Sequence, residues 1–219
     1  MSVFKTIAAA AAAIVVTVGA ATASTTFYLG GWGGLSYSHS YSKDGIGLTV
    51  EAYKHDQGVL GEQIKVGQWG RGLGACSKIG SYGCKESHQV DGYGAHETIK
   101  FSFDHKVRIE SVKFTYVDWN DDFEFGSYSN GVLETYQSDI AIPIDGYFPT
   151  YAGWEGYGTY EFVGGPEATM FSVGSDYKFD NFKIKAIEVS KVPLPAGAAL
   201  LLTGLVGLAV LRRRRGIVA

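Results

Sequence analysis

Alternating apolar and polar residues mark the clearest β-strand of the chain. Residues 98–103 follow this alternation, and a period of two predicts a strand with one buried face. A turn is expected at residues 104–106. Beyond it, the apolar positions change parity between Ile109 and Val112. This change predicts a β-bulge near residues 110–111, because one extra residue moves all later side chains to the opposite face.

Similar signals extend across most of the chain. Runs of aromatic and β-branched residues are separated by Gly, Asn and Asp, which is typical of strands joined by turns. Asn130-Gly131 predicts a tight hairpin, and residues 71–88 are expected to form a loop. Other strands are predicted at residues 46–53, 63–69, 132–136, 157–163, 168–173 and 179–189, the last with a second parity change. Roughly eight to ten strands at residues 24–191 predict an all-β domain, an antiparallel two-sheet sandwich of jelly-roll type.

The N-terminus follows a different pattern. Lys5 precedes an apolar run at residues 7–18 and a small-x-small triplet at residues 21–23. A charged start, an apolar centre and a small-residue end are typical of a secretory signal peptide. We therefore predict that residues 1–23 are a signal peptide, read by the Sec translocon and removed by signal peptidase. The alternative is an uncleaved N-terminal anchor.

A second apolar segment lies near the C-terminus. Residues 196–211 carry no charge and would span about 24 Å as a helix, at about 1.5 Å per residue. That is slightly short of a bilayer core of about 30 Å. Four arginines follow at residues 212–215 and are expected to keep the C-terminus in the cytoplasm. The sequence thus predicts one transmembrane helix and places residues 24–191 outside the cytoplasm.

Residues 192–219 resemble a known class of bacterial sorting signals. They contain a proline-rich motif, an apolar helix and an arginine cluster, in that order. The motif and cluster residues are Val192, Pro193, Leu194, Pro195, Ala196, Gly197, Arg212, Arg213, Arg214 and Arg215. This arrangement is similar to the VPLPA-CTERM variant of the PEP-CTERM class. The resemblance implies an exosortase-like membrane enzyme as a partner, and delivery from the inner membrane to the cell surface or the extracellular space.

The class is associated with extracellular polysaccharide, which therefore becomes an expected partner. Residues 87–97 and 116–123 also resemble ectodomains that are often joined to such tails. Those ectodomains are mostly uncharacterised, so this second resemblance supports the fold rather than an activity. A plain tail anchor that is never cut is the alternative to a processed sorting signal.

Charge narrows the range of partners. All 22 acidic residues, but only 14 of the 19 basic ones, lie within residues 24–191. The domain therefore carries a net charge near −8, although the whole chain is at −3. This balance argues against nucleic acid or an anionic polysaccharide as a charge-driven partner, and it is compatible with bound cations.

The two cysteines, Cys76 and Cys84, are expected to form a disulfide. A chain exported to an oxidising compartment favours pairing, and the spacing with no completing Cys or His set does not suit zinc. Closing this short loop would add about 2.5 kcal/mol in the chain-entropy model.

Carboxylates and amides suggest a calcium site. Asp118, Asn120 and Asp122 alternate like the start of an EF-hand loop, but Phe123 and Ser129 stand where that loop requires Gly and Glu. Separate loops could still supply the oxygen ligands that Ca²⁺ prefers. The candidate ligands are Asp91, Glu97, Asp118, Asn120, Asp122 and Asp180. The alternative is an acidic turn whose carboxylates accept backbone N–H bonds.

Three histidines, His88, His96 and His105, are expected to be surface or hydrogen-bonded residues.

Aromatic residues suggest sugar binding. All four tryptophans stand beside Gly, Asp or Asn, as loop residues do, and aromatic rings stack on the apolar faces of sugars. The candidates are Trp119, Trp154 and Tyr157, and the alternative is that these rings pack between strands.

No nucleophile elbow or phosphate-binding loop is present in the sequence. We therefore expect a non-enzymatic, exported envelope protein with a structural or adhesive role. The alternatives are a carbohydrate-binding module, with or without Ca²⁺, and a secreted hydrolase.

Overall fold

The chain folds as an all-β protein with antiparallel strand pairing. The computed structural model describes residues 23–192 apart from residues 82, 86, 87 and 152, and this part contains no helix. Its strands are β1 Ser24–Tyr28, β2 Gly34–Ser36, β3 His39–Lys43, β4 Ile46–Asp56, β5 Val59–Trp69, β6 Gly72–Cys76, β7 Ile79–Gly80, β8 Gly83–Cys84, β9 Val90–Asp91, β10 Glu97–Val117, β11 Asp122–Ser129, β12 Val132–Ala141, β13 Gly146–Thr150, β14 Gly153–Glu161, β15 Glu167–Gly174 and β16 Asn181–Lys191.

The predicted terminal segments lie outside the described residues. These are residues 1–22 of the signal peptide predicted at residues 1–23, the motif from Pro193, the helix at residues 196–211 and the arginine cluster. Within the part of the chain that the structure does describe, no helix is both long and apolar enough to cross a membrane.

The long strand β10 organises the sheet. Its first half lies between β4 and β15, with Phe101 opposite Val50 and Phe171, and its second half lies between β16 and β14. The turn predicted at residues 104–106 is wrong, because the strand continues through them. Pairing with β15 is interrupted between Ser102 and Val107, so an exposed irregularity takes the place of the turn.

The predicted bulge in β10 is confirmed. Pairing with β16 shifts register between Ile109 and Ser111. Ile109 and Val112 are both fully buried, although an uninterrupted strand would place them on opposite faces. The second parity change is also confirmed, since Ala186 and Ile187 are consecutive and both buried in β16.

Aromatic rings fill much of the core beneath β10 and β16. The Phe114 ring lies 5.0 Å from that of Phe123 and 5.2 Å from that of Phe182, measured between centroids. In the other half of the core, the Phe125 and Phe171 rings stack at 5.8 Å. All five are at most 1% exposed, so their burial supplies a large share of the hydrophobic stabilisation.

The segment from residue 71 to 88 is more ordered than a loop. It contains β6, which pairs with β5, and the short β7–β8 hairpin. A disulfide joins Cys76 to Cys84, whose Cα atoms lie 5.8 Å apart. The hairpin predicted at residues 130–131 is confirmed between β11 and β12, where Asn130 and Gly131 have φ values of 50° and 80°. These left-handed values are those that a two-residue primed turn requires.

Candidate functional site

A cleft of about 570 Å³ opens where β5, β6, β10 and β16 meet. Most of its walls are formed by aromatic side chains (Trp and Tyr) and by basic side chains (Arg, His and Lys). The lining residues are Trp32, Trp69, Gly70, Arg71, His88, Tyr116, Lys183 and Lys185. This volume lies in the range of small-molecule sites, and among the described lining residues there is no carboxylate.

Two tryptophans from different segments form the aromatic part of the cleft. Trp32 lies in the loop between β1 and β2 and is 90% exposed, whereas Trp69 ends β5 and is half-buried. The backbone N–H of Gly31 donates to the carbonyl of Trp69 at 3.0 Å. A Cβ atom at Gly30 would lie 2.8 Å from the carbonyl oxygen of Gly70, so glycine is required for this close approach. The backbone therefore fixes the loop that carries Trp32.

Lys183 lies between two aromatic rings at the base of the cleft. Its Nζ is 4.8 Å from the centroid of Trp69 and 4.9 Å from that of Tyr116, distances at which a cation is attracted to a ring face. The side chain is 8% exposed, and burial lowers its pKa to about 8. Lys183 is therefore still cationic at neutral pH.

Two wall residues adopt backbone conformations that are rare for side-chain-bearing residues. Tyr116 has a φ of 59° and lies at the register shift between Thr115 and Val117, and His88 has a φ of 60°. Such conformations cost about 1–3 kcal/mol each and are concentrated at functional sites. The bulge turns the Tyr116 ring towards Lys183, so the strained backbone shapes the cleft.

His88 contributes a neutral imidazole to the wall. Its ring meets that of Trp69 edge-on, with centroids 4.7 Å apart. Burial, and secondarily the charge of Lys183, lowers the pKa of His88 below its usual value. At neutral pH the ring is therefore uncharged and offers one hydrogen-bond donor and one acceptor.

Arg71 and Lys185 carry the remaining positive charge. The Arg71 guanidinium carbon lies 4.2 Å from the centroid of the Phe148 ring, and the backbone carbonyl of Arg71 accepts a hydrogen bond from Thr115 Oγ1 at 2.7 Å. Lys185 Nζ donates to the carbonyl of Gly70 at 2.7 Å. Burial and the charges of Arg71 and Lys113 lower the pKa of Lys185. Both cations are thus held beside the cleft.

The three predicted sugar-binding residues lie on other elements. Trp119 is in the turn between β10 and β11 and is 89% exposed, and Trp154 is in β14 opposite Pro149 and is 70% exposed. Tyr157 pairs with Gly146 and is half-buried. The structure does not bring these three into the cleft that Trp32 and Trp69 form.

Sequence reasoning missed the basic residues of the cleft. One local signal was available, since Lys183 and Lys185 alternate with the apolar residues Phe182, Ile184 and Ala186 in strand β16, which places the two lysines on one face. The other signal was the Trp-Gly-Arg-Gly run at residues 69–72. Neither signal shows that the two segments meet.

A second site consists of carboxylates. One oxygen from each of Asp122, Asp176 and Asp180 lies within 4.8 Å of the others. Burial, followed by the charges of Asp180 and Asp176, raises the pKa of Asp122 to about 7. Burial also raises the pKa of Asp180 to about 6. Three carboxylate oxygens in one place suit a hard cation such as Ca²⁺, which requires six to eight oxygen ligands in all.

The predicted calcium set is thus only partly brought together. Asp122 and Asp180 meet, but they do so with Asp176, which the sequence did not indicate. In the turn before β11, Asp121 accepts a hydrogen bond from the backbone N–H of Asp118 at 2.6 Å, as expected of an acidic capping turn. Asn120 lies in the same turn, exposed.

The other two predicted ligands lie at the start of β10 and just before it. Asp91 and Glu97 are both buried, and the backbone N–H of Asp91 donates to Glu97 Oε2 at 3.4 Å. Gly92 N–H donates to the backbone carbonyl of Asp180 at 3.3 Å, so the segment packs beside the carboxylate cluster. Their side chains are not among the three that meet within 4.8 Å.

Comparison with known proteins assigns no family to the chain. No protein-family model matches it, and no curated protein matches it. Among solved structures, a family 32 carbohydrate-binding module from C. perfringens NanJ, in complex with galactose, is similar over 65% of this chain and 92% of that one. The identity is 11% and the TM-score is 0.28. A likeness at that TM-score carries no argument about this chain.

Proposed function

We propose that residues 24–191 form a non-enzymatic glycan-binding domain of an exported envelope protein. The observation that carries this proposal is the cleft formed by Trp32 and Trp69. A highly exposed tryptophan on a backbone-fixed loop faces a cavity with a second tryptophan in its wall. Trp119 is equally exposed, so the cavity and its second tryptophan, rather than exposure alone, point to a ligand.

The chemistry of the walls suits a sugar. A pyranose ring has apolar C–H faces, which an indole ring covers well, and a rim of hydroxyl groups that require polar partners. His88 supplies one donor and one acceptor, and the ammonium of Lys183 and the guanidinium of Arg71 donate to hydroxyl oxygens. Stacking and rim hydrogen bonds would therefore act on the same ring.

The lining residues favour binding over hydrolysis. Glycoside cleavage generally requires two carboxyl groups on either side of the scissile bond. The described residues that line the cleft include none. We therefore propose an adhesive role in which the domain holds a glycan without cutting it.

Export and sorting complete the proposal. We propose that the signal peptide and the Sec translocon deliver the chain, and that an exosortase-like enzyme acts near residues 193–197 to release the domain at the cell surface. We also propose that the strands on either side of β10 form a two-sheet sandwich of jelly-roll type. An intact mass ending near residue 197 would support processing, whereas a membrane-bound chain ending at Ala219 would contradict it.

The glycan-binding proposal is tested with a matched pair of tryptophan variants. The full chain, purified in mild detergent, is screened against defined neutral and acidic oligosaccharides, and affinities are measured by isothermal titration calorimetry. Trp32→Ala should weaken binding by at least about tenfold, because a stacking ring is lost. Trp119→Ala, which removes an equally exposed tryptophan elsewhere, should leave the affinity unchanged. Equal losses in both variants, or no binding by the wild type, would contradict the proposal.

A further inference from the structure

The cleft has the opposite charge to the domain that contains it. Residues 24–191 carry a net charge near −8, yet Arg71, Lys183 and Lys185 all line one cavity. Lys113 is close enough to Lys185 to lower its pKa, so the positive region extends beyond the wall. A local concentration of like charge in an acidic domain is unfavourable by itself.

These cations have aromatic and carbonyl neighbours instead of acidic ones. Lys183 contacts the Trp69 and Tyr116 rings, Arg71 lies on the Phe148 ring, and Lys185 donates to a backbone carbonyl. Within the described part of the chain, none of the three forms an ion pair with a carboxylate. Lys183 is more than nine-tenths buried. A buried ammonium without an anionic partner is costly, and an anion entering the cleft would reduce that cost.

The positions of these groups also provide selectivity. The guanidinium of Arg71 is planar and held on the Phe148 ring, which keeps its paired N–H donors available for bidentate contact with a carboxylate. Lys183 lies between the rings of Trp69 and Tyr116, so its charge is close to Trp69, one of the two tryptophans that would stack on the sugar. A ligand that satisfies both features has an anionic group attached directly to a sugar ring.

We infer that the cleft recognises an acidic glycan, with the carboxylate of a uronic acid residue held by Arg71 and Lys183 while its ring stacks on Trp32 or Trp69. This inference rests on the proposed glycan-binding function and adds the class of sugar. It differs from the expectation from net charge, which argues against an anionic polysaccharide as a charge-driven partner. Recognition of a ligand depends on the local potential of the cleft rather than on the total charge.

The test compares one sugar with and without its charge. The probes are an oligogalacturonate and the same oligosaccharide with its carboxyl groups methyl-esterified, titrated into the full chain by calorimetry. At about 0.02 M salt, the acid should bind at least about tenfold more tightly than the ester, because one or more charge-assisted contacts are lost on esterification. At about 0.3 M salt the preference should narrow, since exposed charges are screened.

Charge variants test the assignment to residues. Arg71→Gln and Lys185→Gln should each reduce acid affinity several-fold, by about 3–10 times, and should reduce ester affinity by a smaller factor, because the ester keeps only the hydroxyl contacts of these residues. Lys106→Gln is the matched control, since it removes the same charge outside the cleft. Lys106 lies ten residues before the cleft residue Tyr116 along β10, roughly 30 Å at about 3.3 Å per residue. Thermal unfolding of each variant checks that the fold is intact, since Arg71 and Lys106 are exposed but Lys185 is half-buried.

The outcomes separate this inference from the proposed function. Equal affinity for acid and ester, with binding still dependent on Trp32, would overturn the acidic-sugar inference and leave glycan binding in place. Binding of neither probe, with binding of a sulfated oligosaccharide instead, would overturn the carboxylate assignment. Unchanged binding of every probe in both Trp32→Ala and Trp69→Ala would overturn both. A preference for the acid that Arg71→Gln abolishes and Lys106→Gln retains would support the inference.

Discussion

Removing one charge from the carboxylate cluster should stabilise the protein at alkaline pH. Asp176→Asn is the smallest such change, because the amide oxygen of asparagine can still accept the 3.2 Å hydrogen bond that Asp139 N–H donates to Asp176 Oδ2. The substitution keeps the shape of the side chain and removes its repulsion with Asp122 and Asp180. Its effect on stability therefore reports that repulsion.

The size of this repulsion follows from the distance between the carboxylate oxygens. Two unit charges at 4.8 Å, the distance within which the carboxylate oxygens of the cluster lie, repel by about 3.5 kcal/mol at an effective dielectric of about 20. Asp122 and Asp176 are partly exposed, so solvent screening reduces this to about 1–2 kcal/mol. At this chain length, such a gain should raise Tm by about 2–8 °C.

The raised pKa values determine how the stability contributed by Asp122 and Asp180 changes with pH. The pKa values of about 7 for Asp122 and about 6 for Asp180 exceed the ordinary aspartate value, so the folded state binds protons more tightly than the unfolded state. Stability from these groups is then present at low pH and is lost as pH rises through about 6–7. At about pH 5 both groups hold protons, and Asp176→Asn should change Tm little.

Thermal unfolding at about pH 5 and about pH 8, in the presence of a chelator, measures the effect. Asp145→Asn provides the matched control, since Asp145 is exposed and its charge lies outside the cluster. Destabilisation by Asp176→Asn at pH 8, or an equal change at both pH values, would refute the electrostatic reasoning. An equal gain from Asp145→Asn would assign the effect to net charge instead.

Three further predictions concern the metal, the core and the disulfide. Millimolar Ca²⁺ should raise the Tm of the wild type at about pH 8 and should leave Asp176→Asn unchanged, as followed by differential scanning calorimetry; a gain in the variant would exclude this cluster as the site. Phe114→Ala should destabilise the fold by about 3–5 kcal/mol in urea unfolding, because a fully buried ring with two aromatic neighbours is replaced by a cavity; a loss below about 1 kcal/mol would contradict the packing. Replacing Cys76 and Cys84 by serine should cost about 2.5 kcal/mol in the same assay, and the variant should lose the sensitivity of the wild type to reductant.

Local sequence patterns predicted the local structure well. The parity change in β10 and the Asn-Gly hairpin each depend on a few neighbouring residues, and the structure contains both. The turn at residues 104–106 failed because polar residues were interpreted as a chain reversal. An exposed irregularity in a continuous strand produces the same polar pattern.

The cleft could not be predicted from local patterns. Its residues come from five separate segments, around Trp32, Trp69, His88, Tyr116 and Lys183. They meet because β6 and β10 both pair with β16, and strand order is set by packing over long sequence separations rather than by periodicity. Sequence reasoning could identify tryptophans beside turn residues, but it could not show which of them would converge.

The carboxylate cluster shows the same limit. Asp122 and Asp180 were predicted because acidic residues near turns suit a cation, whereas Asp176 completes the group only through the placement of the segment after β15. Asp118 and Asn120 stay in their turn, because a compact turn does not project alternate side chains to one side as an extended strand does.

The four tryptophans provide the most direct test of the proposed binding site. Each indole N–H gives one signal in a ¹H–¹⁵N NMR spectrum, and single Trp→Phe variants assign the four signals. On titration with oligogalacturonate, the signals of Trp32 and Trp69 should shift along one common binding curve, while those of Trp119 and Trp154 stay in place. Shifts confined to Trp119 or Trp154, or no shift at saturating ligand, would contradict the account.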